Sequence, residues 1–361
     1  MVVEDIYPLI KYGESADLVN GRALHLRNLA EALCDHGHEI SFVTMDYGQG
    51  IEETLNGFKI YRCYGPEEGV PGLRFFTIKA PGISKAMINS NADIYMFMCA
   101  EGLAGIVAGN CKKMKRRFIF YGGHDKDFEL NGWNMNMRDR YLFKKALADA
   151  DIILCQNTYQ KKQVRLNYKR TGKILYNPMK KDKLSYRADG VILWIANYSR
   201  VKRPELFVEL AKQIDDDFVM IGGRQPGMSE KEYKEINASA RSNNVNVMGA
   251  LSLKEAEEYI SRAKVLVNTS ESEGLSNTFL QAWRKGIPVV SFVDPDGMIQ
   301  KNSLGEVVSD MESLEKAVET LKNGITPEHS AAIKTFFDNT FSGEIIAERF
   351  NDIIKEYGFM P

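Results

Sequence analysis

The chain has 361 residues, 44% of them hydrophobic and 26% charged, with 47 basic against 48 acidic side chains. A chain of this length and composition buries enough core for two folded domains without a metal or disulfide staple. Its formal charge of −1 excludes a globally basic nucleic-acid binder, so no nucleic-acid partner is expected.

Short apolar runs alternate with helical patterns from end to end. Val2–Ile6 reads as an abbreviated first strand. A helix follows, with Leu26, Leu29, Ala30 and Leu33 at i, i+3, i+4 and i+7. Glu39–Thr44, Lys59–Cys63, Asp93–Met98, Phe118–Tyr121, Asp151–Cys155 and Lys173–Tyr176 continue as strands. The polar stretch Asn177–Asp189, with Pro178, reads as a linker. A second series comprises Val191–Ile195, Phe218–Ile221, Val245–Met248, Val265–Asn268 and Pro288–Phe292. Strands that are apolar throughout, separated by helices, predict parallel sheets covered on both faces. Two series predict two doubly wound domains, 1–182 and 183–340. The last helix, in 341–361, must bury its stripe of Ile346, Phe350, Ile353 and Ile354.

Five cysteines without a C-x-x-C pair fit buried thiols of a reduced compartment. Glu4 and Asp5 stand where a signal peptide would be basic, and the apolar stretch 94–109 is short of a bilayer span and carries Glu101. A cytoplasmic protein is expected. Between 111 and 180 lie 17 basic and six acidic side chains, a net of +11. Two readings of this patch stand side by side. It is either a pair of solvated helix faces or a docking surface for anionic lipid or a phosphorylated acceptor, peripheral at the inner face of a membrane.

Several chemistries are excluded. Gly222–Ser229 nearly spells a phosphate-binding loop, but Met228 occupies the place of its lysine. No G-x-G-x-x-G opens a helix after a strand. The Asp215–Asp217 run and Asp294 with Asp296 read as turns, and no H-x-x-x-H occurs, so no metal site and no cofactor are expected.

The informative segment runs from Val265 to Trp283 and on to Gly286-Ile287-Pro288-Val289-Val290. A buried strand ends in a small polar loop that launches a helix, which hands on to another strand. Amides of Gly274, Leu275 and Ser276 at that helix start suit a diphosphate. Glu273 precedes the helix and Gln281 lies eight residues on, so both side chains are expected to face one ligand. For Glu273 alone, a helix-capping role is the plainer alternative.

This segment resembles the signature of family 4 glycosyltransferases, in which two glutamates separated by seven residues precede a G-x-P-V-V strand. Glu273 matches the first glutamate, and Gln281 stands at the second. The resemblance implies the GT-B fold: two facing Rossmann-like domains of doubly wound parallel sheet, with a C-terminal helix crossing back to the first. Other blocks agree in order. Asn20-Gly21, a helix and then Gly37-His38-Glu39-Ile40 resemble the family's opening glycine loop and its strand entry. Ala148–Leu154 and Ile174–Pro178 resemble the segments before the linker. Leu193–Pro204 resembles the loop that holds the donor diphosphate, with Lys202 at the family lysine and Asn197 at its arginine. Arg200 or Arg203 is then expected to supply the missing charge. Phe218–Gly223 resembles the strand that ends in glycines.

The resemblance implies a retaining glycosyltransferase that moves a hexose-type sugar from a nucleoside diphosphate sugar to a glycan or lipid-linked acceptor, without a metal. Glu273 would lie near the donor sugar and Gln281 on the ribose; Gly222, Gly223 and Met248 complete the donor side. In the first domain, His124 or Asp125 would face the acceptor. Two alternatives stay open. One is a sugar-nucleotide epimerase of the same fold. The other is a catalytically weakened sugar-nucleotide-binding module, suggested by Asn197 and Gln281.

Overall fold

A computed structural model describes residues 1–13, 21–184, 186–187, 189–225 and 227–359. Two compact units divide it, the first comprising 1–13, 21–178 and 343–359 and the second 179–342.

In the first unit the chain forms α1 (Tyr7–Tyr12), α2 (Gly21–Asp35), β1 (Ser41–Thr44), β2 (Glu52–Leu55) and β3 (Phe58–Arg62). It continues through α3 (Ala80–Ser90), β4 (Ile94–Met98), α4 (Leu103–Met114), β5 (Arg117–Tyr121), α5 (Met137–Asp149), β6 (Ile152–Cys155), α6 (Thr158–Tyr168) and β7 (Gly172–Ile174). Strands β4-β5-β6-β7 pair in parallel, and β1-β3-β2 form a second ladder in which β2 runs antiparallel. The expected first strand at Val2–Ile6 shrinks to one residue. Val2 alone bridges Val43 and Phe97, joining the two ladders, because Ile6 with Pro8 already starts α1. Strand β2 has no apolar run; its residues alternate between exposed and half-buried, which marks a polar edge. Its pattern therefore carries no strand signal. The core between sheet and helices holds Phe97, Phe118, Phe120, Phe128, Phe143 and Ile153, all under 4% exposed. Each such side chain contributes roughly 1.5–3 kcal/mol of burial.

In the second unit come β8 (Val191–Ile195), α7 (Pro204–Gln213), β9 (Phe218–Ile221), α8 (Glu230–Ser242), β10 (Val245–Gly249), α9 (Leu253–Ile260) and β11 (Ala263–Asn268). There follow α10 (Asn277–Trp283), β12 (Val289–Ser291), α11 (Met298–Lys301), β13 (Gly305–Val307), α12 (Met311–Gly324) and α13 (Pro327–Thr340). All six strands are parallel, in the order β10-β9-β8-β11-β12-β13. This is the Rossmann order 3-2-1-4-5-6, and the direction of winding reverses between β8 and β11. Capping boxes at Ser229/Glu232 and Ser252/Glu255 start α8 and α9.

The final helix, α14 (Gly343–Glu356), belongs to the first unit. It lays Ile346, Ala347, Phe350, Ile353 and Ile354 against α2, with the His38 ring edge-on to Phe350. All five cysteines are free thiols. Among the described residues no helix is long and apolar enough to cross a membrane.

Candidate active site

Doubly wound sheets bind ligands beyond the carboxyl ends of their strands, at the point where the winding reverses. In the second unit that point lies between β8 and β11, and the loops leaving these two strands are laced together. Thr269 Oγ1 donates to the Lys202 carbonyl at 2.6 Å and accepts from Trp194 Nε1 at 2.9 Å. Glu271 N donates to the Val201 carbonyl at 2.8 Å. Arg203, in the left-handed region at φ 46°, donates from Nε to the Thr269 carbonyl at 2.7 Å and covers the Phe292 ring. The loop after β9 closes on the same place. A Cβ on Gly222 would sit 1.8 Å from the Ala196 carbonyl oxygen, so only glycine lets these backbones approach.

This lacing brings Lys202 and Glu273 together from positions 71 residues apart. The Glu273 carboxylate accepts from the Lys202 ammonium, from Ser270 Oγ at 2.7 Å and from Asn268 Nδ2 at 3.3 Å. Burial pushes its pKa up, but the Lys202 charge and these hydrogen bonds outweigh burial and hold the carboxyl below its ordinary value. The Glu273 side chain is 8% exposed and that of Lys202 25%, so the ammonium is the open end of the pair. The capping alternative for Glu273 does not hold. Its hydrogen bonds go to Lys202, Ser270 and Asn268, and the N-cap of α10 is Ser276, without a side-chain cap bond.

The other candidates scatter. Gln281 is 7% exposed and donates to Glu257 Oε1 of α9 at 2.8 Å, so it shares no partner with Glu273. Gly274 and Leu275 are buried in the loop ahead of α10. Ser276 Oγ meets Thr278 Oγ1 at 2.9 Å. Neither arginine replaces the charge missing at half-buried Asn197: Arg200 pairs with Glu232 at 3.0 Å, and Arg203 braces the β11 loop. Gly223 lies beside Ala250, and Met248 is met by the Tyr259 hydroxyl at 3.4 Å. In the first unit Gly21 opens α2 instead of sitting in a loop, and Asn20 lies outside the described residues.

At the carboxyl end of β5, His124 caps a short turn, its Nδ1 accepting from Lys126 N at 3.1 Å, and its ring meets Trp133 edge-on. Asp125 faces inward, accepting from Asn157 Nδ2 at 2.8 Å and Gln160 Nε2 at 3.1 Å; burial raises its pKa. Both residues are half-buried, and Asp125 is the one committed to side-chain partners.

Four residues that build these sites escape a reading of the sequence. Asn268 and Ser270 hold Glu273 and sit in the same polar string, so their position is a signal. Glu257 lies in a helix with ordinary amphipathic spacing and gives none. The same holds for buried Asp127, which receives the Gly123 and His124 amides and Trp133 Nε1.

Known proteins share this fold. The chain superposes on sucrose-phosphate synthase from Thermosynechococcus elongatus with TM-score 0.74 and 16% identity, covering 98% of this chain and 97% of that one. It superposes on the catalytic domain of starch synthase IV from Arabidopsis thaliana, bound to ADP and acarbose, with TM-score 0.73 and 11% identity over 99% and 98%. It also superposes on Anabaena HepE in complex with UDP and glucose, with TM-score 0.70 and 12% identity over 98% of each chain. The fold is GT-B. Residues 189–323 match the family model described as Glycosyl transferases group 1. An uncharacterized glycosyltransferase of Methanocaldococcus jannaschii, MJ1178, is 25% identical over 324 residues, covering 86% of this chain and 82% of the relative. The match to the group 1 glycosyltransferases thus lies within the second unit.

Proposed function

We propose that the protein moves a hexose-type sugar from a nucleoside diphosphate sugar to a glycan or lipid-linked acceptor, with retention of anomeric configuration. The observation that carries the reading is the Lys202–Glu273 pair at the winding reversal of the second unit. Breaking an anomeric bond develops negative charge on the leaving diphosphate and positive charge on the sugar ring. A cation and an ionised carboxylate held together match both charges. Lys202, the more exposed partner, turns from Glu273 to the diphosphate, so the reading needs no metal. Glu273, ionised and fixed by Ser270 and Asn268, orients sugar hydroxyls and favours the cationic ring. The leaving phosphate takes the acceptor proton on the same face, which retains configuration. The nucleotide ligands named for HepE and starch synthase IV support a nucleoside diphosphate donor.

The membrane reading of the basic span also stands as a proposal, in narrower form. Arg116, Arg117 and Lys145 form surface ion pairs with Asp93, Asp151 and Asp149, and Arg170 donates to the carbonyls that end α5. Lys112, Lys113, Arg140, Lys144, Lys161, Lys162 and Arg165 are exposed and contribute its docking charge.

The test is a thermal-shift screen against uridine, guanosine and adenosine diphosphate hexoses, followed by assay of released nucleoside diphosphate. A ligand at 100 times its Kd stabilises by about 2.7 kcal/mol. Release that requires acceptor supports transfer. Turnover without acceptor points to an epimerase, and a shift without turnover to a binding module. Proton NMR of the product's anomeric signal decides retention.

A further inference from the structure

We infer that the first unit docks on an anionic lipid bilayer through the apolar rim of the cavity at the carboxyl end of β4. The inference deepens the lipid-linked branch of the proposed acceptor and rests on it. The cavity, about 470 Å³, has Gly72, Arg74 and Phe75 on one wall and Asn136, Arg138 and Asp139 on the other. Large apolar side chains that neighbour the lining residues along the chain face water. Met137 is 90% exposed, Tyr141 68%, Val70 64%, Leu73 60% and Phe76 59%. The two walls form one patch, because the Arg138 guanidinium lies 3.8 Å from the Phe75 ring centre and 5.7 Å from that of Phe76.

Helix α5 is built to present this face. Its inner side buries Phe143, Ala146 and Leu147. Its outer side carries Met137, Arg140, Tyr141 and Lys144, at i, i+3, i+4 and i+7, all exposed. The helix cannot rock away. A Cβ on Gly102 would lie 2.2 Å from Asp139 Oδ1, and one on Gly105 2.5 Å from the Leu142 carbonyl oxygen, so α4 grips α5 at closest approach. A fixed, exposed stripe of methionine, tyrosine and cations has no use in the core. It suits the bilayer interface, where aromatic and apolar groups enter the headgroup layer and cations meet lipid phosphate.

Charge selects the occupant. Among the described residues Arg140 and Lys144 make no ion pair, and neither do Lys161, Lys162 and Arg165 on α6. The acids of the same span are engaged: Asp139 by Arg138 and Asn136, Glu129 by the Tyr159 hydroxyl, and Asp149 by Lys145. Glu67 and Glu68 are exposed acids of the apolar loop, the second accepting from the Gly65 amide. A second copy meeting this face about a twofold axis would set cations against cations. An anionic leaflet neutralises them.

Full-length protein is sedimented with vesicles of phosphatidylcholine alone and of phosphatidylcholine containing phosphatidylglycerol, at low and high salt. Binding to the anionic vesicles is expected, falling at least about tenfold as salt screens the headgroups. Phe76→Ser with Met137→Ser, and separately Arg140→Glu with Lys144→Glu, should each lower it at least about tenfold. Lys112→Glu with Lys113→Glu, at the far end of α4, should lower it less than the α5 pair. All substituted side chains are exposed, and unchanged melting curves confirm intact folding. Equal binding to neutral vesicles, or full binding by the Phe76/Met137 variant, overturns the inference. So does a wild-type dimer in gel filtration that this variant turns into a monomer. Donor turnover on a soluble glycan is measured in parallel. Turnover without vesicle binding sinks the docking and leaves the transferase reading; vesicle binding without turnover does the reverse.

Discussion

Gln281 of α10 donates its side-chain amide to Glu257 of α9 at 2.8 Å, and Arg284 reaches the same carboxylate oxygen at 2.6 Å. The residue that departs from the two-glutamate pattern is therefore matched to a carboxylate that no spacing in the sequence points to. An amide offers a donor here, whereas a glutamate would set a buried carboxylate against the half-buried Glu257. From the sequence, Glu273 is the carboxylate expected to repel a glutamate at 281; in the fold it is Glu257. Gln281→Glu should cost about 1–3 kcal/mol at neutral pH, blunted by Arg284 and Lys285. Facing carboxylates repel each other less at low pH, so the loss should shrink as pH falls. Melting curves at pH 7 and pH 5 check the direction, and Gln281→Glu combined with Glu257→Gln should recover most of the loss.

Removing Lys202 leaves the Glu273 carboxylate buried without its counter-ion, so Lys202→Ala should destabilise the second unit as well as slow transfer. Breaking a fully buried pair costs about 3–5 kcal/mol, and the partial exposure of Lys202 places this variant below that range. Glu273→Gln keeps the hydrogen-bond geometry and should act mainly on kcat, because ring charge exists only as the bond breaks. Gln281→Ala removes a donor to Glu257, and the ribose contact that the resemblance implies for Gln281 predicts a raised donor KM, since the ribose does not change during transfer. Steady-state kinetics on the three variants, each paired with a melting curve, separate stability from chemistry. A change confined to KM in Glu273→Gln would remove that residue from the reaction.

Gly222→Ala forces its Cβ into the Ala196 carbonyl and must part the loops after β8 and β9. Expected is a loss above about 3 kcal/mol, or failure to bind donor if the loops part without unfolding. Gly223→Ala meets only the Ala250 methyl, at 3.2 Å, and should cost far less. Thermal melts with and without donor distinguish the two sites.

His25 is buried on α2, edge-on to Tyr121 at 4.7 Å, with Gln156 Nε2 3.4 Å from its Nδ1. Burial drives its pKa down to about 3, against an opposing hydrogen bond with Asn177. The folded state keeps the ring neutral while the unfolded chain takes a proton below about 6.5. Stability should therefore fall as pH drops from about 6.5 toward 3, by up to about 1.4 kcal/mol per pH unit from this group. Urea titrations from pH 7 to pH 4 should give a steeper slope for wild type than for His25→Gln.

Much of this protein is legible in one dimension. Buried parallel strands such as Val191–Ile195 and Phe218–Ile221 are continuous apolar runs, because both of their faces are covered. The loop–helix string from Thr269 to Gln281 also declares its chemistry by residue type. Strand β2 and the three-residue β13 do not register, since edge strands bury too little to leave a pattern.

Local order along the chain determined the two doubly wound sheets, the helix stripe at Ile346–Ile354 and the candidacy of Lys202, Glu273 and Gln281. It did so because hydrophobic periodicity and turn chemistry act over a few residues. Tertiary structure alone decided the partners. It set Lys202 on Glu273, Gln281 on Glu257 and Arg203 on the Thr269 carbonyl, and it turned Asp125 inward. These pairings span 24 to 71 residues of sequence, and only the packing of β8 against β11, of α9 against α10 and of the turn after β5 against α6 brings their atoms within hydrogen-bonding distance.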